Sequence, residues 1–228
     1  KYPEILPIMD DGRQMRHGER AHRCPNSPIY REYCERIVRQ MGERFGHDTN
    51  VIGWQIDNEV HTVGNRGCCC PVCQTAFLNT MRQRFGDIEA LNEAWGTQLW
   101  SQAYNSFDQI PVPDAAQRHH PSLVNAWWRF QSDSYIDFIE HQSGILHELV
   151  TQPVGTDMMP VQVMDWQRTH RTLDIVQFNH YNTMDNLWET TLWMSFARSL
   201  IDRPWWCTET STCWNGGTSA NGYREPGF

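Results

Sequence analysis

Two glutamates hold the positions from which this chain could do chemistry. Glu59 closes the run Val51-Ile52-Gly53-Trp54-Gln55-Ile56-Asp57-Asn58, and Glu209 closes Trp205-Trp206-Cys207-Thr208. In each, an apolar strand-like stretch stops abruptly at polar groups. That is the pattern of a buried parallel strand opening into a site at its C-terminal end. Two carboxyl groups delivered this way fit the cleavage of a glycosidic bond. The reaction needs a proton on the leaving oxygen and stabilisation of an oxocarbenium-like carbon, and a retaining enzyme supplies both with carboxyl groups about 5–5.5 Å apart. One must rest protonated and the other ionised, so their surroundings must differ. On this reading Glu59 is the acid/base, Glu209 the nucleophile, and Asn58 a hydrogen-bond partner for the sugar hydroxyl at C2. The plain alternative is a pair of solvated carboxylates at two strand ends.

The elements that must position them can be read along the chain. Residues 1–27 are irregular and polar. Ser27 and Pro28 form a helix start, Tyr30, Tyr33, Ile37, Met41 and Phe45 follow at helical spacing, and Gly46 ends the run. Val51 to Ile56 reads as a strand. Helices are expected over Val72 to Phe85 and Ile88 to Trp95, then a long loop from Leu99 to Pro121, long enough to cover a site. A helix follows from Leu123 to Val150, with Trp127, Phe130, Tyr135 and Phe138 along it. Strands are expected at Val154 to Met159, Leu173 to Tyr181 and Pro204 to Glu209, with a helix from Leu187 to Ile201 between the last two. Alternating strands and helices predict an α/β fold with a parallel sheet. The strand ending at Glu209 is the third after the one ending at Glu59, which in a closed barrel places the two across the mouth from each other. His180-Tyr181 ends a strand as well, and Tyr181 either contacts the sugar, holds Glu209, or simply packs.

Composition narrows the class. A chain of 228 residues suits one domain. Its net charge of −8 argues against nucleic acid, which needs a basic stripe. No apolar run approaches the roughly 20 residues of a membrane span. No Gly-rich phosphate loop follows a strand, and no His-Glu-x-x-His motif is present. The eleven tryptophans either fill the core or form faces on which sugar rings stack.

The segment Ile52 to Glu59, reading Ile-Gly-Trp-Gln-Ile-Asp-Asn-Glu, resembles the acid/base motif of glycoside hydrolase family 42, the β-galactosidases. The likeness extends to Pro3-Glu4-Ile5-Leu6-Pro7, to Arg20 through Tyr33, to Ala90 through Thr97, to Leu99-Trp100-Ser101-Gln102 and to Trp205 through Glu209. It covers nearly the whole chain. The resemblance implies a partial (β/α)8 TIM barrel over residues 1–228, with about strands four to seven present and the first strands and the last one missing. Glu59 then ends strand four and Glu209 strand seven. It further implies a retaining double displacement on terminal β-D-galactosyl residues of oligosaccharides. Arabinopyranosides and fucosides sharing the axial hydroxyl of galactose, or an inactive carbohydrate-binding scaffold, are the alternatives. By the same likeness Arg20 and Asn58 bind the sugar, Trp100 lines the subsite, and Trp214 stands where a family tryptophan lies beyond the nucleophile. The full-length protein is expected to be a cytoplasmic homotrimer.

Cys68, Cys70 and Cys73 form a Cys-x-Cys-x-x-Cys pattern suited to one tetrahedral metal, which needs a fourth ligand. Cys24 is the best candidate, and the family resemblance implies a structural zinc on these four. Cys69 is spare. A disulfide or a set of free thiols is the alternative. Such a zinc would tie the Cys24 loop to the loop after Glu59 and so help place Arg20. Cys34, Cys207 and Cys213 read as ordinary buried or loop thiols.

Overall fold

A computed structural model describes residues 2–18, 22–61, 66–158, 164–181 and 187–211. The chain forms two compact units, Lys1–Cys34 with Thr62–Phe138, and Glu35–His61 with Ile139–Phe228. The division falls within two helices, α1 (Pro28–Phe45) and α4 (Pro121–Leu149).

The first unit is mostly helical. Besides the start of α1 and the first half of α4 it holds α2 (Pro71–Phe85) and α3 (Ile88–Trp95). Local chemistry sets their ends. Pro71 opens α2, where its missing N–H costs nothing, and the Asp87 carboxylate accepts the Ala90 N–H at 2.8 Å to cap α3. Gly96 stops α3 at φ +67°, a left-handed conformation that favours glycine. Phe77 sits at the centre of the core, fully buried, with its ring edge-on to Trp127 at 5.0 Å and to Phe130 at 5.5 Å. Each such side chain contributes about 1.5–3 kcal/mol by leaving water. The expected loop from Leu99 to Pro121 contains short 3-10 turns at Leu99–Ser101 and Phe107–Gln109. Asn92 holds it, accepting the Tyr104 N–H at 3.0 Å and donating to the Tyr104 carbonyl at 2.7 Å.

The second unit carries the sheet. Strand β1 (Trp54–Gln55) runs parallel to β2 (Val154–Gly155), and β3 (Asp157–Met158), β4 (Val176–Tyr181) and β5 (Trp205–Ser211) form a second parallel ladder. Only Thr156 separates β2 from β3, and its hydroxyl donates to the Ile56 carbonyl at 2.7 Å, so the two pieces act as one interrupted strand. Strands therefore neighbour one another in chain order, with the short helix α5 (Trp166–Thr169) before β4 and α6 (Leu187–Leu200) before β5. This is an α/β architecture with parallel strands, consistent with part of a barrel. Val176 and Phe178 of β4 pack with Met158, Trp166, Ala197 and Leu200 on the helix side. Gln177 and Asn179 point the other way and are buried, which makes the inner face polar. Gly53 lets that face close up, since a Cβ there would stand 2.8 Å from the Trp206 ring. No helix among the described residues is long and apolar enough to cross a membrane.

Several expectations need correction, among them the strand expected from Leu173, which begins only at Val176. The strand expected at Val51 to Ile56 is only Trp54–Gln55, and Ile52 is 76% exposed. The reason is that β1 pairs on one side only among the described residues, so the apolar run before it has no second neighbour to bury it. The strand expected at Val154 to Met159 is broken at Thr156, and Met159 lies outside the described residues. Helix α5, capped by the Asp165 carboxylate on the Arg168 N–H, was not expected, because four residues show no periodicity.

Candidate active site

The chain leaves β1 through a sharp polar turn. Asp57 and Glu59 both take left-handed backbone, at φ +54° and +45°. Conformations of this kind cost on the order of 1–3 kcal/mol each in residues other than glycine and persist only when neighbours hold them. Here the Asp57 carboxylate accepts the Asn58 N–H at 2.8 Å, and the Asp157 carboxylate at the start of β3 accepts the Glu59 N–H at 2.9 Å. The turn leaves Glu59 half-buried and Asn58 exposed.

Glu209 reaches the same face by an irregularity in β5. Trp205 and Cys207 pack on the helix side. Simple alternation would send Glu209 there too. The ladder instead shifts register between Phe178 and Asn179: Phe178 pairs with Cys207, but Asn179 pairs with Glu209. Thr208 is the extra residue of a β-bulge, and this turns Glu209 to the inner face alongside Asn179. There the Tyr181 hydroxyl donates to Glu209 Oε2. His180, one position earlier, points to the helix side and bonds Thr190 Oγ1 at 2.9 Å.

Asn179 joins the turn after β1 to the start of β3. Its Nδ2 donates to Glu59 Oε1 at 3.1 Å and to Asp157 Oδ2 at 2.7 Å. Three carboxylates thus share one polar cluster. Burial pushes the Asp157 carboxyl up to about 6, and the charges of Glu209 and Glu59 push the same way. The Tyr181 phenol is raised as well, first by burial and then by its bond to Glu209. Burial lowers the His180 imidazole. A cluster with one fully buried carboxyl and two half-buried ones can keep groups of unlike protonation close together, as acid/nucleophile chemistry needs.

Of the other expected site residues, Trp100 is described. Trp100 belongs to the first unit and is 71% exposed, at φ +59°, with the Arg118 guanidinium 5.9 Å from its ring centre. That exposure rules out core packing for it. Arg20, Trp214 and Cys213 lie outside the described residues. Asp157 and Asn179 were missed by sequence reading. A signal for Asp157 existed, since Val154-Gly155-Thr156-Asp157 is another apolar run ending in a carboxylate. Asn179 lies two residues before Tyr181, hence on its face.

The first unit holds the thiols. The Sγ atoms of Cys24, Cys68, Cys70 and Cys73 all lie within 4.8 Å of one another, and all four residues are buried. Cys24 Sγ is 3.4 Å from that of Cys73 and 3.7 Å from that of Cys70. Four sulfurs around a tetrahedral ion with bonds of about 2.3 Å would stand about 3.8 Å apart, so the set fits one metal ion. Mutual hydrogen bonds lower the Cys68 and Cys70 thiols and raise those of Cys24 and Cys73. Asn26 Nδ2 donates to Cys73 Sγ at 3.4 Å, and Gln131 grips the Cys68 backbone by accepting its N–H at 3.1 Å and donating to its carbonyl at 3.0 Å. Cys69 stands outside the set, its thiol pushed up to about 12 by burial. Cys34 is buried, Cys207 half-buried, and no described cysteine forms a disulfide.

Comparison with known proteins identifies the family. The profile of glycoside hydrolase family 42, described as β-galactosidase, matches residues 1–228. The β-galactosidase BglY of Alicyclobacillus acidocaldarius is 32% identical over 238 residues, covering 100% of this chain and 34% of that protein. A β-galactosidase of Thermus thermophilus is 45% identical over 147 residues, 64% of this chain and 23% of its own length. The solved polyextremophilic β-galactosidase of Halorubrum lacusprofundi superposes with a TM-score of 0.83 at 33% identity, covering 91% of this chain and 34% of that one. The chain therefore spans about a third or less of the length of these relatives.

Proposed function

This chain belongs to glycoside hydrolase family 42, the β-galactosidases, and from that premise we propose that it carries the catalytic carboxylates of a retaining enzyme that removes terminal β-D-galactosyl residues. One observation carries the reading: Glu59 and Glu209, far apart in sequence, both belong to the polar cluster around Asn179 and Asp157.

In this mechanism Glu59 protonates the departing oxygen while Glu209 attacks the anomeric carbon, forming a galactosyl-enzyme ester. Water then enters, Glu59 takes its proton, and the ester bond to Glu209 breaks with the anomeric configuration retained. Tyr181, donating to Glu209, holds the attacking oxygens in place. Asn58, exposed beside Glu59, is the residue assigned to the hydroxyl at C2. Arg20, Trp100 and Trp214 are the further sugar contacts of this proposal. Zinc on Cys24, Cys68, Cys70 and Cys73 would be structural, because four protein ligands leave no position for water. It would join the Cys24 segment to the start of α2 within the first unit.

The test uses the full-length enzyme and 4-nitrophenyl β-D-galactoside. Glu209→Gln should lose at least about a thousandfold in kcat, the order expected when a covalent nucleophile is removed. A variant with wild-type turnover would defeat the mechanism. In a crystal structure the two carboxyl groups should stand about 5–5.5 Å apart.

A further inference from the structure

The inner face of the sheet holds a third carboxylate to which acid/base and nucleophile roles assign no task. Asp157 is fully buried. Its Oδ1 accepts the Glu59 N–H at 2.9 Å, and its Oδ2 accepts Asn179 Nδ2 at 2.7 Å. The same Nδ2 reaches Glu59 Oε1 at 3.1 Å. An amide nitrogen carries two hydrogens, so both contacts are made at once. One buried carboxylate thereby fixes Glu59 twice, at its main chain directly and at its carboxyl through the shared amide.

Glu59 needs such holding. Its φ of +45° lies where a side chain with a Cβ is strained, and relaxing it would swing the carboxyl away from the strand end. In the turn before it, the Asp57 carboxylate bonds the N–H of Asn58, one residue earlier. Burying a carboxylate among other acids is also unfavourable. Burial, with the charges of Glu59 on the turn after β1 and Glu209 on β5, pushes Asp157 up to about 6. Tyr181 of β4 is a further titratable group in the same electrostatic cluster. A neutral side chain could accept one N–H without that penalty, so the acid at this position points to a task in the site.

We propose that Asp157 is a positioning residue for the acid/base: its carboxylate pins the left-handed backbone of Glu59 and, through Asn179, orients the carboxyl that delivers the proton. This rests on the β-galactosidase reading above. The physical consequence is selective. Proton delivery matters in proportion to how poor the leaving group is, so a misplaced acid hurts only substrates that need it.

The experiment compares two substrates on the full-length enzyme. Asp157→Ala should lower kcat/KM for phenyl β-D-galactoside by about 10- to 100-fold, the scale of a misaligned general acid. For 2,4-dinitrophenyl β-D-galactoside, whose leaving group departs without a proton, kcat/KM should change by less than about threefold. In a Glu59→Ala background the same substitution should cost the phenyl substrate less than about twofold more, because the residue acts through Glu59. Asp157→Asn keeps the size and an acceptor for the Glu59 N–H, and should show the same substrate split if the alanine variant does not fold. Equal losses on both substrates, no loss on either, or an additive loss in the Glu59→Ala background would overturn the proposal while leaving the β-galactosidase reading intact. A wild-type enzyme inactive on both galactosides would overturn the reading and the proposal together.

Discussion

Gly67 offers a sharp test of how the thiol cluster is held. It is buried at φ +75°, immediately before Cys68, and a Cβ added there would lie 2.3 Å from Gln131 Oε1, 2.5 Å from its Cδ and 2.7 Å from its Cγ. Gln131 has no room to give, being fully buried on α4 and bonded twice to the Cys68 backbone. Gly67→Ala therefore does two kinds of damage. The left-handed backbone costs about 1–2 kcal/mol for alanine. Driving Gln131 off Cys68 loses two buried hydrogen bonds worth about 0.5–1.5 kcal/mol each. Together these amount to about 2–5 kcal/mol, which for a domain of this size corresponds to a fall in Tm of about 5–15 °C. Thermal unfolding of the full-length enzyme followed by near-ultraviolet circular dichroism, with bound metal measured on the same samples, reads both effects. The double variant Gly67→Ala, Gln131→Ala has no clash left to relieve, so its loss should fall short of the two single losses combined by about 1–3 kcal/mol. A Tm within about 1 °C of wild type for Gly67→Ala, or strict additivity in the cycle, would refute the reasoning.

Two further outcomes are expected. Purified full-length enzyme should contain about one zinc per chain, and Cys73→Ser should lose most of it together with about 10 °C or more of Tm, since metal binding is folding free energy in such sites; an unchanged Tm would remove the structural role. Asp174 accepts the Val154 N–H at 2.9 Å and faces His147 Nε2 at 2.9 Å. Burial works against its charge, but these two partners outweigh it and hold the carboxyl below the usual range. A depressed carboxylate stabilises the fold above its unfolded value near 4 and loses that contribution as pH falls through the folded value. Asp174→Asn should accordingly cost about 1 kcal/mol at pH 7, a cost that shrinks as the pH falls through the folded value, read as the urea midpoint against pH; a pH-independent difference would contradict this.

Much of the scaffold was legible because its signals are local. Pro28 and Gly46 bracket α1 as expected, and α2, α3, α4 and α6 begin and end within two residues of the expected positions. Caps, prolines and helical spacing act over a few neighbouring residues, so one segment is enough to read them. The sheet was less legible at its edge. Ile52 carries the composition of a buried strand yet is exposed, because burial of a strand depends on a neighbour whose sequence lies elsewhere.

The sequence by itself determined the chemistry-bearing types and their order: two glutamates at strand ends, three tightly spaced thiols with a fourth upstream, and the alternation that makes the sheet parallel. Tertiary structure alone decided which of them meet. Counting from Trp205 by twos places Glu209 on the helix side, and only the bulge at Thr208 returns it to the face of Asn179 and Tyr181. Asp157 and Asn179 reach Glu59 from about a hundred positions away, through a register set by pairing between strands. Such contacts depend on the relative placement of segments with no local pattern in common, and backbone geometry after folding is what fixes that placement.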